Sequence, residues 1–271
     1  MLRILRYNGE KETGFFCQAS AIALRMTDCK RTEEPIMAEF IFGTQIFLLY
    51  LLVLASFFLT VRAFVKIPDE LFRKILHFIL LGAYIPLCFA FETWWKASIL
   101  VAALIVVLYP LLALLEKLPA FSAFLSQRKS GEIKNSMILA LSMMTISTTV
   151  CWGIFGDRYL VLACVYAWGV GDAFAALIGK QFGKHKIRLP FADPHKSVEG
   201  TAAMFGSSAI AVLAILLIRG GLDFGSCLLI ALIAAAVSAC VELCTKDGYD
   251  TFSCPAAAMA VILPLIKILE G

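Results

Sequence analysis

The stretch Ala97–Leu115, ASILVAALIVVLYPLLALL, runs nineteen residues without a single charge. A helix over that run is about 28 Å long, close to the ~30 Å hydrocarbon core of a bilayer. Lipid offers no water to pair with backbone N–H and C=O groups, so a run of this length there must be helical. Working outward, comparable apolar runs recur at Phe40–Val61, Ile75–Phe91, Ser136–Phe155, Tyr159–Ile178, Gly200–Ile218, Phe224–Val241 and Cys254–Leu269. The expected fold is therefore all-α: a polytopic integral membrane protein with about eight transmembrane helices. The second run is short and is expected to be tilted or re-entrant. Of 271 residues, 61% are hydrophobic and 16% charged, with a mean hydropathy of +0.86. Soluble domains carry about 25% charged residues, so a water-soluble class is excluded. The net charge of +4 is too small to suggest a nucleic-acid partner.

The basic residues sort by loop. One set of loops holds Arg62, Lys66, Arg73, Lys74, then Lys117, Arg128, Lys129, Lys134, then Lys180, Lys184, Lys186, Arg188, Lys196, and finally Lys246. The opposite loops hold only Lys96, Arg158 and Arg219. Cytoplasmic loops carry the Lys/Arg excess, so the first set is expected inside a cell membrane, with Trp94 and Trp95 at the outer interface. Residues 1–36 break the pattern with Arg3, Arg6, Lys11, Arg25, Lys30 and Arg31. They are expected to be a mis-assigned start, the chain beginning at Met37, or a poorly ordered tail. No apolar run followed by a small-residue cleavage site marks a signal peptide. Residues 37–271 are then expected to form a single transmembrane catalytic domain, with no obligate protein partner evident. The nine cysteines form no CxxC pair and read as small core hydrophobes.

Ionisable groups in or beside apolar spans are expensive, which makes each a functional candidate. Arg73, Lys74 and His77 open the second run, Asp172 lies inside the fifth, Glu199 precedes the sixth, Glu242 ends the seventh and Asp250 precedes the eighth. The richest stretch is GVGDAFAALIGKQFGKHKIRLPFADPHKSVEGT, Gly169–Thr201. On a helix, Asp172, Ala175, Ala176 and Gly179 share one face, either a close-packing stripe or a place where a phosphate can approach. The lysines beyond it fit a phosphate-bearing ligand or, for Lys184 and Lys186, anionic lipid. Ser197 and Gly200 resemble a helix N-cap and its flexible neighbour. Gly179–Lys184 has the wrong spacing for a Walker A loop, so a P-loop kinase is excluded. Phosphoryl transfer needs only a divalent metal on carboxylates, cations for the phosphate oxygens, and positioning. Asp172, Glu199 and Asp250, with Arg73, Lys74 and Lys196, would supply that set, Mg²⁺ needing only one or two of the carboxylates. His77, one turn past Arg73, could serve as a base toward a hydroxyl or as a donor to phosphate, or be a structural polar residue. His185 and His195 suggest no role.

Four ordered stretches, RKILHF (Arg73–Phe78), GDAFAALIGKQFGKHKI (Gly171–Ile187), KSVEGT (Lys196–Thr201) and DGYDTFSCP (Asp247–Pro255), together resemble the polyprenol kinase family. That family includes dolichol kinase, phytol kinase and CTP-dependent diacylglycerol kinases. The resemblance implies transfer of the γ-phosphate of CTP to a membrane lipid alcohol at the cytoplasmic face. It implies Asp172, His77 and Lys196 as catalytic residues, and Arg73, Lys74, Gly179 and Glu199 as nucleotide- or phosphate-binding residues, to which the basic loop adds Lys184. Asp172 and Asp250 are implied as holders of Mg²⁺. The late motif departs from the family's usual Asp-Asn-Leu-Thr, having Asp250, Thr251, Phe252 and Ser253. The Gly171–Thr201 block is also similar to phosphatidate cytidylyltransferases, which attack CTP at its α-phosphate; Arg73, Lys74 and His77 favour the kinase. Gly169–Asp172 and Tyr249-Asp250 share the paired-aspartate vocabulary of intramembrane proteases, but in reverse order and with Asp250 outside a span. A transporter would show inverted repeats, and none is visible.

Overall fold

Each apolar run becomes a helix in the computed structural model, which describes residues 37–118, 121, 131–187, 196–245 and 248–270. In chain order these are α1 (Met37–Phe64), α2 (Asp69–Gly82), α3 (Tyr84–Phe89), α4 (Trp94–Leu115), α5 (Glu132–Ser147), α6 (Arg158–Phe182), α7 (Val198–Arg219), α8 (Phe224–Cys244) and α9 (Asp250–Glu270). A π-helical stretch, Thr148–Ile154, continues α5. Among the described residues, eight helical segments are long and apolar enough to cross a membrane, α2 with α3 and α5 with its π-helical continuation each counting as one. The fold is all-α and polytopic. The described residues contain no strand, only an isolated antiparallel bridge between Lys186 and Ser197. Gly43–Gly271 forms one compact unit and Met1–Phe42 another; the expectation about residues 1–36 lies outside the described residues.

The ends of the helices follow from their caps. The Asp157 carboxylate accepts from the Tyr159 N–H, Ser197 Oγ from the Gly200 N–H, and the Asp223 carboxylate from the Ser226 N–H. The Ser226 hydroxyl also donates to Asp223 at 2.6 Å, and these bonds hold that carboxyl below the usual carboxylate range. The second span, short as an apolar run, is a 21-residue segment, Asp69–Phe89, long enough to cross. Its helix begins six residues before Ile75, since its first two turns bear Asp69, Glu70, Arg73 and Lys74, which a search for uninterrupted apolar sequence cuts away.

Helix α6 is the spine, burying every residue from Leu160 to Val165 and then Ala167, Trp168, Gly169, Gly171 and Ala173. It packs against α7, α9 and α2. The backbones of α6 and α7 approach closely. A Cβ on Gly200 would stand 3.2 Å from Gly179 Cα and 3.0 Å from the Ala175 carbonyl oxygen. Small residues let membrane helices meet this closely. At the end of α6 away from Gly179, Arg219 of α7 pairs with both Asp157 and Glu270, tying the N-cap of α6 to the last turn of α9. The π-helical stretch sets Cys151 against α6, its Sγ 4.0 Å from that of Cys164, and Thr149 against Ser98 of α4 at 3.1 Å. Large apolar side chains such as Val106 and Ile210 face outward, as lipid-facing residues do.

Candidate active site

On α2, Glu70, Arg73, Lys74, His77, Leu80, Leu81 and then Tyr84 of α3 recur at helical spacing, so one face changes from charged to apolar along its length. That face lines a cavity of about 1020 Å³. Opposite it, α6 contributes Trp168, Asp172, Ala175, Ala176, Gly179 and Lys180. Lys196 and Ser197 before and at the start of α7, Glu242 of α8, and Asp250 and Thr251 of α9 complete the polar end.

Two ion pairs organise that end. Lys74 Nζ donates to Asp172 Oδ2 at 2.7 Å, with side chains 14% and 15% exposed. Lys196 Nζ donates to the Glu242 carboxylate and, at 2.7 Å, to the Glu242 carbonyl oxygen near the end of α8, where the helix dipole favours a cation. Glu242 itself is 5% exposed. His77 Nε2 lies 3.0 Å from the Gly169 carbonyl oxygen. A carbonyl only accepts, so Nε2 carries the proton of that bond, and Nδ1 is the acceptor of the neutral ring. The ring stands edge-on to Trp168 with centroids 4.8 Å apart. The Trp168 indole N–H in turn donates to Asp250 Oδ2 at 3.5 Å.

The cavity thus gathers Arg73, Lys74, His77, Asp172, Gly179, Lys196 and Asp250. Lys184 and Glu199 do not line it. Glu199, on the first turn of α7, turns back to the preceding loop, where its carboxylate accepts from the His185 N–H and lies 2.6 Å from His185 Nδ1. Gly179 serves the α6–α7 contact as well as the cavity wall. Glu242, Trp168, Lys180 and Lys186 also reach the cavity. Glu242 stands out in the sequence as an acid closing an apolar run, though no role follows from that alone; nothing in the sequence singles out Trp168. Among the described residues no three or more His, Cys, Asp or Glu side chains cluster as a metal cage. Mg²⁺ does not need one, since it keeps waters and takes one or two carboxylates together with substrate phosphates. Asp172 and Asp250 on one cavity fit that habit.

The family model for the cytidylyltransferase family matches residues 34–245, more than three quarters of the chain. The chain belongs to the cytidylyltransferase family. No curated protein and no solved structure gives a significant match. As a member of the cytidylyltransferase family it is a multi-pass membrane enzyme of a CTP-using transferase kind. The matched span contains both ion pairs, Lys74 with Asp172 and Lys196 with Glu242, and ends before Asp250.

Proposed function

We propose that the protein transfers the γ-phosphate of CTP to a membrane lipid alcohol of the polyprenol, phytol-like or diacylglycerol kind. In this reading residues 37–271 are one catalytic domain in the cell membrane, with the charged end of the cavity in the cytoplasm. The carrying observation is that one cavity brings His77, Arg73 and Lys74 together with Asp172, Lys196 and Asp250.

In this reading Arg73, Lys74 and Lys196 hold the phosphate oxygens and neutralise their charge, which supplies most of the stabilisation that phosphoryl transfer needs. Lys74 and Lys196 reach the nucleotide by exchanging or sharing their carboxylate partners. Asp172 and Asp250 would hold Mg²⁺, which when bound screens the triphosphate oxygens. The acceptor hydroxyl oxygen forms the new bond to the γ-phosphorus, the bond from the β-phosphate bridging oxygen breaks, and CDP leaves. The hydroxyl proton passes to His77 Nδ1, with the ring oriented by its Nε2–H bond to Gly169.

The family match favours a second reading, cytidylyl transfer to phosphatidate. There a phosphate oxygen attacks the α-phosphorus and pyrophosphate leaves. That nucleophile is already an anion at neutral pH, so His77 would have no proton to accept. The two readings separate in one experiment: protein in detergent with Mg²⁺ and CTP labelled at either the α- or the γ-phosphate, offered lipid alcohols or phosphatidate. The expected result is γ-label in an alcohol's phosphate. Conversion of α-label to CDP-diacylglycerol, with none in alcohols, would establish the second reading.

A further inference from the structure

The cavity continues past the charged groups. Beyond His77 its wall is Leu80, Leu81 and Tyr84 on one side and Met137, Ala140 and Met143 of α5 on the other. From Lys74 to Tyr84 is ten residues along the second span, so this arm reaches roughly 15 Å deeper than the Lys74–Asp172 pair. The facing helix runs antiparallel: Lys74 meets Asp172, and His77 meets Gly169 three residues nearer the α6 N-terminus, where Leu81 also packs. The arm is therefore an apolar slot lying along the spans, continuous with the polar chamber.

Two features say what occupies it. Helix α2 packs on α6, and α5 packs on α4 and α9, but α2 and α5 share almost no close contact although both line the slot. The slot's seam lies between them. Second, the apolar arm is roughly 15 Å long, far shorter than an extended polyprenol chain, so it can hold only the part of the chain next to the reacting hydroxyl. A tail attached to the reacting hydroxyl must leave sideways, through the seam and into the bilayer. We infer that the acceptor's hydrocarbon chain lies between α2 and α5, and that Leu80 of α2 and Ala140 of α5, which both line the slot, determine which chains pass. This rests on the reading of the site as a lipid-alcohol phosphotransferase.

The test has two arms. A long-chain polyprenol carrying a diazirine on its chain is photolysed with the wild-type protein in nanodiscs, with and without excess unlabelled polyprenol. Adducts that the competitor removes are expected between Leu76 and Tyr84 and between Met137 and Met143. Competable adducts confined to other helices would overturn the inference. Because this arm needs no turnover, it reads out whether or not the kinase reading survives the labelled-CTP assay. In the second arm Ala140→Phe is compared with Ala214→Phe, which adds the same bulk at an exposed position of α7. Ala140→Phe should lower kcat/KM for undecaprenol at least tenfold relative to farnesol, with CTP binding unchanged, and Ala214→Phe should change neither. Equal losses for both alcohols, or no loss for either, would overturn the proposal.

Discussion

Lys74 and Asp172 face each other across α2 and α6, and removing one strands the other where water solvates it poorly. Lys74→Met should therefore cost about 3 kcal/mol of stability, measured as a lower melting temperature in detergent. Combining it with Asp172→Leu should recover most of that loss. If Lys74→Met melted like the wild type, the pair would be contributing nothing. Asp172→Asn behaves differently, because the amide keeps an oxygen that accepts from Lys74 in nearly the same shape. That variant is expected to keep its folded yield and lose transfer; full activity would remove Asp172 from the machinery. Lys196→Ala removes one charge-assisted contact to phosphate, of about 1.5–3 kcal/mol, so KM for CTP should rise on the order of tenfold or more. An unchanged rate at limiting CTP would discard the role. At this scale much of the site is legible in sequence because ionisable groups next to apolar runs are costly and so stand out. Partnership is not legible. Lys196 sits beside Glu199 in the chain but pairs with Glu242, 46 residues on, because the first turn of α7 aims Glu199 back at His185.

The crossing of α6 and α7 is set by glycines whose absent side chains are occupied by the neighbouring backbone. Gly200→Ala places its Cβ 3.0 Å from the Ala175 carbonyl oxygen, and neither helix can give without separating. Overpacking of this kind costs about 1–3 kcal/mol. Gly206, two turns along the same helix, has nothing within 4 Å of a built Cβ. Gly206→Ala should be neutral or stabilising, by up to roughly 1 kcal/mol, from helix propensity. Paired thermal melts of the two variants check both signs, and equal melting temperatures would refute the crossing argument. The existence of the spans was readable from the length of apolar runs that carry one charge at most, as the fifth carries Asp172. Their ends were not, since α2 and α9 begin on charged turns, Asp69–Lys74 and Asp250, that belong to the helix but not to the apolar run. The apolar stripe of α5 likewise looks like any lipid-facing sequence until α2 is seen on the other side of the slot.

Across the whole molecule the loops fall into two sets, and the charge bias between them predicts which faces the cytoplasm. A single cysteine placed at Lys184 should react with a membrane-impermeant maleimide only after the cell envelope is opened. One placed at Gly221, in the turn after α7, should react in intact cells. The reverse pattern would invert the orientation and put the charged chamber outside, where no cytoplasmic nucleotide reaches it. Eight spans follow from composition alone, whereas the chamber depends on which helices adjoin, and that information is distributed over contacts between residues far apart in the chain.

The π-helical Thr148–Ile154 acts as a phase shifter. An α-helix turns about 100° per residue, and a π turn accommodates one residue more than an α turn does. Upstream of it, Met137, Ala140 and Met143 are phased toward the chamber; within it, Cys151 and Trp152 are buried, Cys151 against α6. Deleting one residue from this segment would restore a regular helix and rotate one half against the other by about 100°. The span would keep its length and hydropathy, yet one of its two faces would be lost. The segment therefore lets a single helix serve two neighbours whose demands no uninterrupted 3.6-residue period satisfies together.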